Sequence, residues 1–242
     1  MLSYLAQYEE FFGPFRLLRF ITLRTLLSAG TSLFIGYILG PWVIAKLRQF
    51  SFQQSLRDKS EVGKLAELHE GKKNTPTMGG LLICLSVTVS CLLWAQWNVW
   101  VLTALLVYLS LTGLGFVDDF LKVSKRNSKG VNSRFKLLWQ SVTTVAALAI
   151  LLSHPDSATH CRELWLPFFK GAVIDQMPVW FLFIFLFFVL VGSSNAINLT
   201  DGIDGLAIGC TISVALVYAV MAYAAGNAII SDYLLISFVP GA

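Results

Sequence analysis

Long uncharged runs alternate with short charged ones along this chain, and the runs have bilayer length. About 20 apolar residues carry a helix across the hydrocarbon core. Residues 25–45 form 21 positions without a charge, which predicts a first span. Residues 74–117 are uncharged over 44 positions, about twice one crossing. That run predicts two spans, turning at Gln96, Trp97, Asn98 and Trp100, with the tryptophans where an interfacial belt sits. Residues 137–153 predict a fourth span, ended by His154 and Pro155; residues 177–200 predict a fifth and residues 205–231 a sixth. Asp232 opens a seventh apolar segment that stops at Ala242, too short to cross. Residues 1–19 place Phe11, Phe12 and Phe15 beside Arg16 and Arg19, the pattern of an interfacial amphipathic helix rather than of a cleaved leader. The expected fold class is all-α: a polytopic membrane helix bundle with six complete spans plus the start of a seventh, in a single integral-membrane domain over residues 1–242.

Composition agrees. Of the 242 residues 56% are hydrophobic and 13% charged, with a mean hydropathy of +0.69, whereas a soluble domain carries about 25% charged residues. The net charge of +4 has a specific placement. Residues 46–73 hold seven Lys/Arg and residues 122–136 six more, thirteen of the eighteen in the chain. The alternate turns near Gln96 and Gly226 hold none. By the positive-inside rule the charged loops are cytoplasmic and the amino terminus lies outside. This accounts for the positive charge without nucleic acid, for which no basic, aromatic-interleaved module is present. Four cysteines show neither metal-ligand spacing nor a disulfide framework.

Three polar clusters then fall on the cytoplasmic side. In the first, Asp118 and Asp119 appear together after the 44-residue uncharged run, with Lys122 three and four positions on and so on the same helix face. A single carboxylate costs about 2.5–3.5 kcal/mol at the centre of a spanning helix, while each Leu, Ile or Val returns about 0.3–0.6 kcal/mol. The pair therefore belongs where the membrane meets water, and a lysine beside it suits a phosphate-bearing substrate with Mg²⁺. A salt-bridged helix-end anchor is the plainer reading of the same residues. In the second, Lys72 and Lys73 precede Thr75 and Pro76, an N-cap and a first helical residue. Free N–H groups at such a helix start also suit a phosphate. In the third, Asn195, Asn198, Asp201 and Asp204 recur every three residues, with Gly202 and Gly205 breaking the helix. A polar stripe at this depth lines a site or forms a seam between helices.

At these residues the chain resembles the phospho-N-acetylmuramoyl-pentapeptide transferases, within the polyprenyl-phosphate N-acetylhexosamine-1-phosphate transferase superfamily. The matching stretches are residues 72–80 with Thr75-Pro76-Thr77-Met78-Gly79-Gly80, residues 115–122, and residues 193–207 with Asn198-Leu199-Thr200-Asp201-Gly202-Ile203-Asp204-Gly205-Leu206. The likeness runs over essentially the whole chain. It implies transfer of phospho-MurNAc-pentapeptide from UDP to undecaprenyl phosphate, with release of UMP and a requirement for Mg²⁺, at the cytoplasmic face of a bacterial inner membrane. It implies catalytic roles for Asp118, Asp119 and Asp201, with Asp118 deprotonating or positioning the lipid phosphate and Asp201 nearest the metal. Lys72, Thr75, Lys122, Asn195, Asn198 and Asp204 would bind substrate. The lipid phosphate attacks directly or an aspartate first forms a phospho-enzyme; both stay open, and a homodimer is compatible with the family.

Two departures qualify the likeness. Asn74 stands where the family commonly has Gly. The family also continues through further spans, with another aspartate and a His-rich loop, and the expectation for these 242 residues alone is little or no activity. The competing readings are a related transferase using UDP-GlcNAc and a non-catalytic membrane remnant. A transporter fits poorly, because transporters place such residues at the membrane midplane within paired repeats and no repeat is evident.

Overall fold

The computed structural model describes residues 2–49, 78–125, 130–166, 169, 171–201 and 205–239. These residues are helical, without a named strand, in the order α1 (Ile21–Gln49), α2 (Gly80–Trp94), α3 (Val99–Ser124), α4 (Ser133–Leu152), α5 (Pro155–His160), α6 (Val179–Thr200), α7 (Leu206–Ala225) and α8 (Ala228–Leu234). Five of them, α1, α3, α4, α6 and α7, are long and apolar enough to cross a membrane, and α2 is a shorter apolar helix. A multi-pass membrane helix bundle is thus what the hydrophobic runs build.

Three expectations need correction. The interfacial helix over residues 1–19 is instead two 3₁₀ stretches, Leu2–Tyr8 and Gly13–Arg19. Pro14 opens the second, and Arg19 pairs with Glu9 across the break at 3.2 Å. The sixth span ends at Ala225 rather than at Ser231. Asn227 stops it by accepting hydrogen bonds from the N–H groups of Ile229 and Ile230, at 3.0 and 3.2 Å, and so caps a new helix. Asp232 then lies inside α8 and opens no seventh element; Leu235 takes the left-handed conformation and residues 236–239 are irregular. The helix start expected at Thr75 and Pro76 lies outside the described residues; α2 begins at Gly80, after Met78 at φ 73°.

Contacts divide the described residues into two compact units. In the first, α1 packs on α2 through small and polar residues. Gly36 faces Ser86 and Gly40 faces Leu82, so the backbones approach closely. The Ser90 hydroxyl donates to the Ser28 carbonyl at 2.5 Å, which leaves the Ser28 hydroxyl to donate to Ser90 Oγ at 2.8 Å. Trp94 Nε1 donates to Thr31 Oγ1 at 2.9 Å. Lipid tails offer no hydrophobic drive for helices to associate, so close packing and such hydrogen bonds do the work. The remainder of this unit is the two 3₁₀ stretches, the carboxyl-terminal half of α3 and the described residues from Gly130 to Lys136.

In the second unit α4 buries Gln140, Thr143, Thr144, Ala147, Leu148 and Leu151, one helical stripe. The threonine hydroxyls return to carbonyls one turn back, Thr143 to Trp139 and Thr144 to Gln140, at 2.9 and 2.8 Å. Leu148 forms the core with Met177 and Leu182. The loop after α5 closes on itself through Leu164 and Ile174 and through Met177 N–H to Arg162 O, each at 2.8 Å. Gln140, 1% exposed, ties α4 to α6: its amide nitrogen donates to Ser194 Oγ at 3.1 Å, and its oxygen accepts from Asn195 Nδ2 at 3.3 Å.

Gly40→Leu should separate α1 from α2 and cost about 1–3 kcal/mol by overpacking, while Ser90→Ala should cost only about 0.6 kcal/mol; thermal unfolding in detergent compares the two. Gln140→Leu leaves the partners of a buried amide unsatisfied and should cost about 1–3 kcal/mol. The same assay on Asn227→Ala should show a loss of about 1 kcal/mol, with faster amide exchange confined to residues 228–234.

Candidate active site

Asp118, Asp119 and Lys122 lie in the last two turns of α3, and the helical spacing brings the ammonium to both carboxylates. Lys122 Nζ is 2.6 Å from Asp118 Oδ2 and 3.3 Å from Asp119 Oδ1. Lysine in a final helical turn also faces the negative end of the helix dipole, which offsets the cost of two carboxylates there. The two aspartates differ in their surroundings. The Asp118 side chain is 18% exposed and that of Asp119 43%. The Val131 N–H donates to Asp118 Oδ1 at 2.8 Å, so both oxygens of Asp118 are engaged. Asp119 Oδ2 has no partner among the described residues.

An ammonium has three N–H donors. Among the described residues Asp118 and Asp119 take two, and one remains for a third oxygen. Lys136, in the first turn of α4, adds to the positive field at Asp118. In the sequence Lys136 is one of six cations that set membrane orientation, and Val131 carries no signal. Val131 meets Asp118 from 13 positions away in the chain, and nothing local in the sequence marks that contact.

The third cluster is divided. Asn195 is half-buried and belongs to the seam with Gln140 and Ser194, its amide nitrogen also donating to Val191 O at 2.8 Å. Asn198 is exposed on the final turn of α6. Asp201 is the exposed C-cap of that helix, its N–H on Ile197 O at 3.1 Å. Gly205, at φ 82°, precedes α7 and makes the break expected of it. Lys72, Thr75 and Asp204 lie outside the described residues. Gln140 and Ser194 were not singled out in the sequence, because a lone glutamine inside an apolar span carries no spacing signal.

Among the described residues no three His, Cys, Asp or Glu side chains group as a metal site. Mg²⁺ needs no such cage: one or two carboxylates, waters and substrate phosphates commonly hold it. The exposed carboxylate of Asp201 is a donor of that kind.

Comparison with known proteins places these residues in context. The model of glycosyl transferase family 4 matches residues 99–241, more than half of the chain. The first signature of the phospho-N-acetylmuramoyl-pentapeptide-transferases matches residues 72–84. A phospho-N-acetylmuramoyl-pentapeptide-transferase of Opitutus terrae is 53% identical over 241 residues, covering all of this chain. One of Methylacidiphilum infernorum is 42% identical over 244 residues, again covering all of it. The chain spans 65% and 66% of the length of these curated relatives. By the family match across α3 to α8, which carry both polar clusters described above, the chain belongs to glycosyl transferase family 4.

Proposed function

We propose that this protein transfers phospho-MurNAc-pentapeptide from its UDP carrier to undecaprenyl phosphate. An oxygen of the lipid phosphate attacks the phosphorus attached to the sugar, the bond from that phosphorus to the oxygen bridging the two phosphates breaks, and UMP leaves. The observation that carries the reading is the Asp118, Asp119 and Lys122 constellation at the end of a spanning helix. It stands in a chain 53% identical to a relative named for this transfer.

The residues divide the work by their surroundings. Asp118 positions Lys122, whose remaining N–H holds a phosphate oxygen of the incoming lipid. Asp119, the more exposed of the pair, takes the last proton from that phosphate or orients it, in place of Asp118, for which the resemblance implies that role. Asn198 and Asp201 meet the nucleotide and diphosphate side, and Lys72, Thr75 and Asp204 bind there as the resemblance implies. Asn195 serves by holding the end of α6 against Gln140. Mg²⁺ bound through Asp201 would offset charge on the transferring and leaving phosphates. The positive charge of residues 46–73 and 122–136 supports a cytoplasmic face for this chemistry; a bacterial inner membrane and a homodimer belong to the same proposal.

The test uses membranes carrying the chain, as it stands and with the segment of the Opitutus terrae relative outside the matched stretch supplied in cis. UMP release from UDP-MurNAc-pentapeptide, dependent on undecaprenyl phosphate and Mg²⁺, is the expected result. Asp119→Asn should lower it by about 100-fold or more, the scale of a lost acid–base group. Preferential use of UDP-GlcNAc, or silence from both chains, would overturn the proposal.

A further inference from the structure

Gly130 and Val131 lie against the last turns of α3, and the point of contact is the carboxylate of Asp118. Gly130 sits at φ 55°, in the left-handed region that side chains rarely adopt. A Cβ at this position would collide with Asp118 Oδ1 and lie 2.9 Å from Lys122 Cε and 3.1 Å from Asp118 Cγ. Only glycine lets the backbone come this close. The next residue, Val131, then aims its N–H at Asp118 Oδ1, at 2.8 Å. On the opposite oxygen Lys122 Nζ stands at 2.6 Å. Among the described residues, the charged groups that act on the carboxylate are Lys122 on its own helix and Lys136 from α4, with Asp119 next to it in the chain and on the same ammonium.

We propose that the turn at Gly130 and Val131 is a positioning element: it clamps Asp118 so that this carboxylate holds Lys122 in place, leaving Asp119 as the carboxylate that meets the substrate. This rests on the transfer reaction proposed above for its consequence, and on geometry alone for the clamp. A hydrogen bond to a charged group is stronger than one between neutral groups, and here it fixes a side chain from across a turn. The clamp reaches 13 residues along the chain, so it also ties the end of α3 to the start of α4.

Two measurements decide it. Amide hydrogen exchange at Val131, read by mass spectrometry on the full chain in detergent, should quicken by about tenfold in Asp118→Ala relative to the unsubstituted chain. Equal exchange in the two would overturn the clamp, whatever the activity. In the transfer assay, Gly130→Ala and Val131→Pro, which closes the space or removes the N–H, should lower kcat by about tenfold while KM for the UDP substrate changes less than about twofold. Val131→Leu keeps the N–H and should leave both unchanged. If Val131→Pro fails to accumulate, Gly130→Ala and Val131→Leu still separate positioning from folding. Unchanged kcat in Gly130→Ala would overturn the positioning role. No UMP release from any chain would overturn the transferase reading, and the exchange result would then decide the clamp by itself.

Discussion

Hydrocarbon will not hold an unpaired charge, and the arrangement of this protein follows from that. Insertion of one carboxylate at a span centre costs as much as several leucines return. The described ionic groups accordingly gather at helix ends, and the one cluster that extends into a spanning helix is closed by its own cation. Lys122 stands between Asp118 and Asp119 and makes the end of α3 tolerable at the membrane boundary. The same proximity underlies the proposed chemistry, in which a partly exposed lysine beside two carboxylates neutralises them and also holds a phosphate. The salt-bridged anchor and the proposed substrate site are therefore one object described at two levels.

Inside the spans the polar residues obey the same constraint in a different way. Ser28, Ser90, Thr31 and Trp94 satisfy one another between α1 and α2, and Gln140 satisfies Ser194 and Asn195 between α4 and α6. Thr143 and Thr144 turn their hydroxyls back to their own helix. These bonds fix which faces meet, because in lipid an apolar face has no preference for another apolar face over a lipid tail. Asn195 shows how closely a seam and a site are related. Its amide belongs to the seam, and Asn198, one turn on, is exposed at the end of the same helix.

Most of the architecture was legible because charge placement reports where the membrane ends. The 44-residue uncharged run covers α2 and α3 as far as Val117, and Asn98 at their junction caps α3 by accepting from Val101 N–H at 2.8 Å. Asp118, Asp119 and Lys122 were legible because their spacing is local and helical. The end of α7 was not: residues 205–231 read as one run, since Gly226 and Asn227 carry no charge and hydropathy alone registers no hydrogen-bonding cap. Gly130 and Val131 are not marked because they reach Asp118 from 12 and 13 positions away, which no period in the sequence encodes. Gln140 is invisible for the same reason, its partners being 54 and 55 positions away.

The shortness of α2 has a mechanical side. Fifteen residues rise about 22 Å, against a hydrocarbon core of about 30 Å, whereas the 20 residues of α7 match that core without adjustment. A short helix bound tightly to a long one draws the bilayer thinner around itself, at a fraction of a kcal/mol per Å. Membrane thickness thus acts on α1 and α2 as a load, carried by the glycines and serines that hold the two helices together.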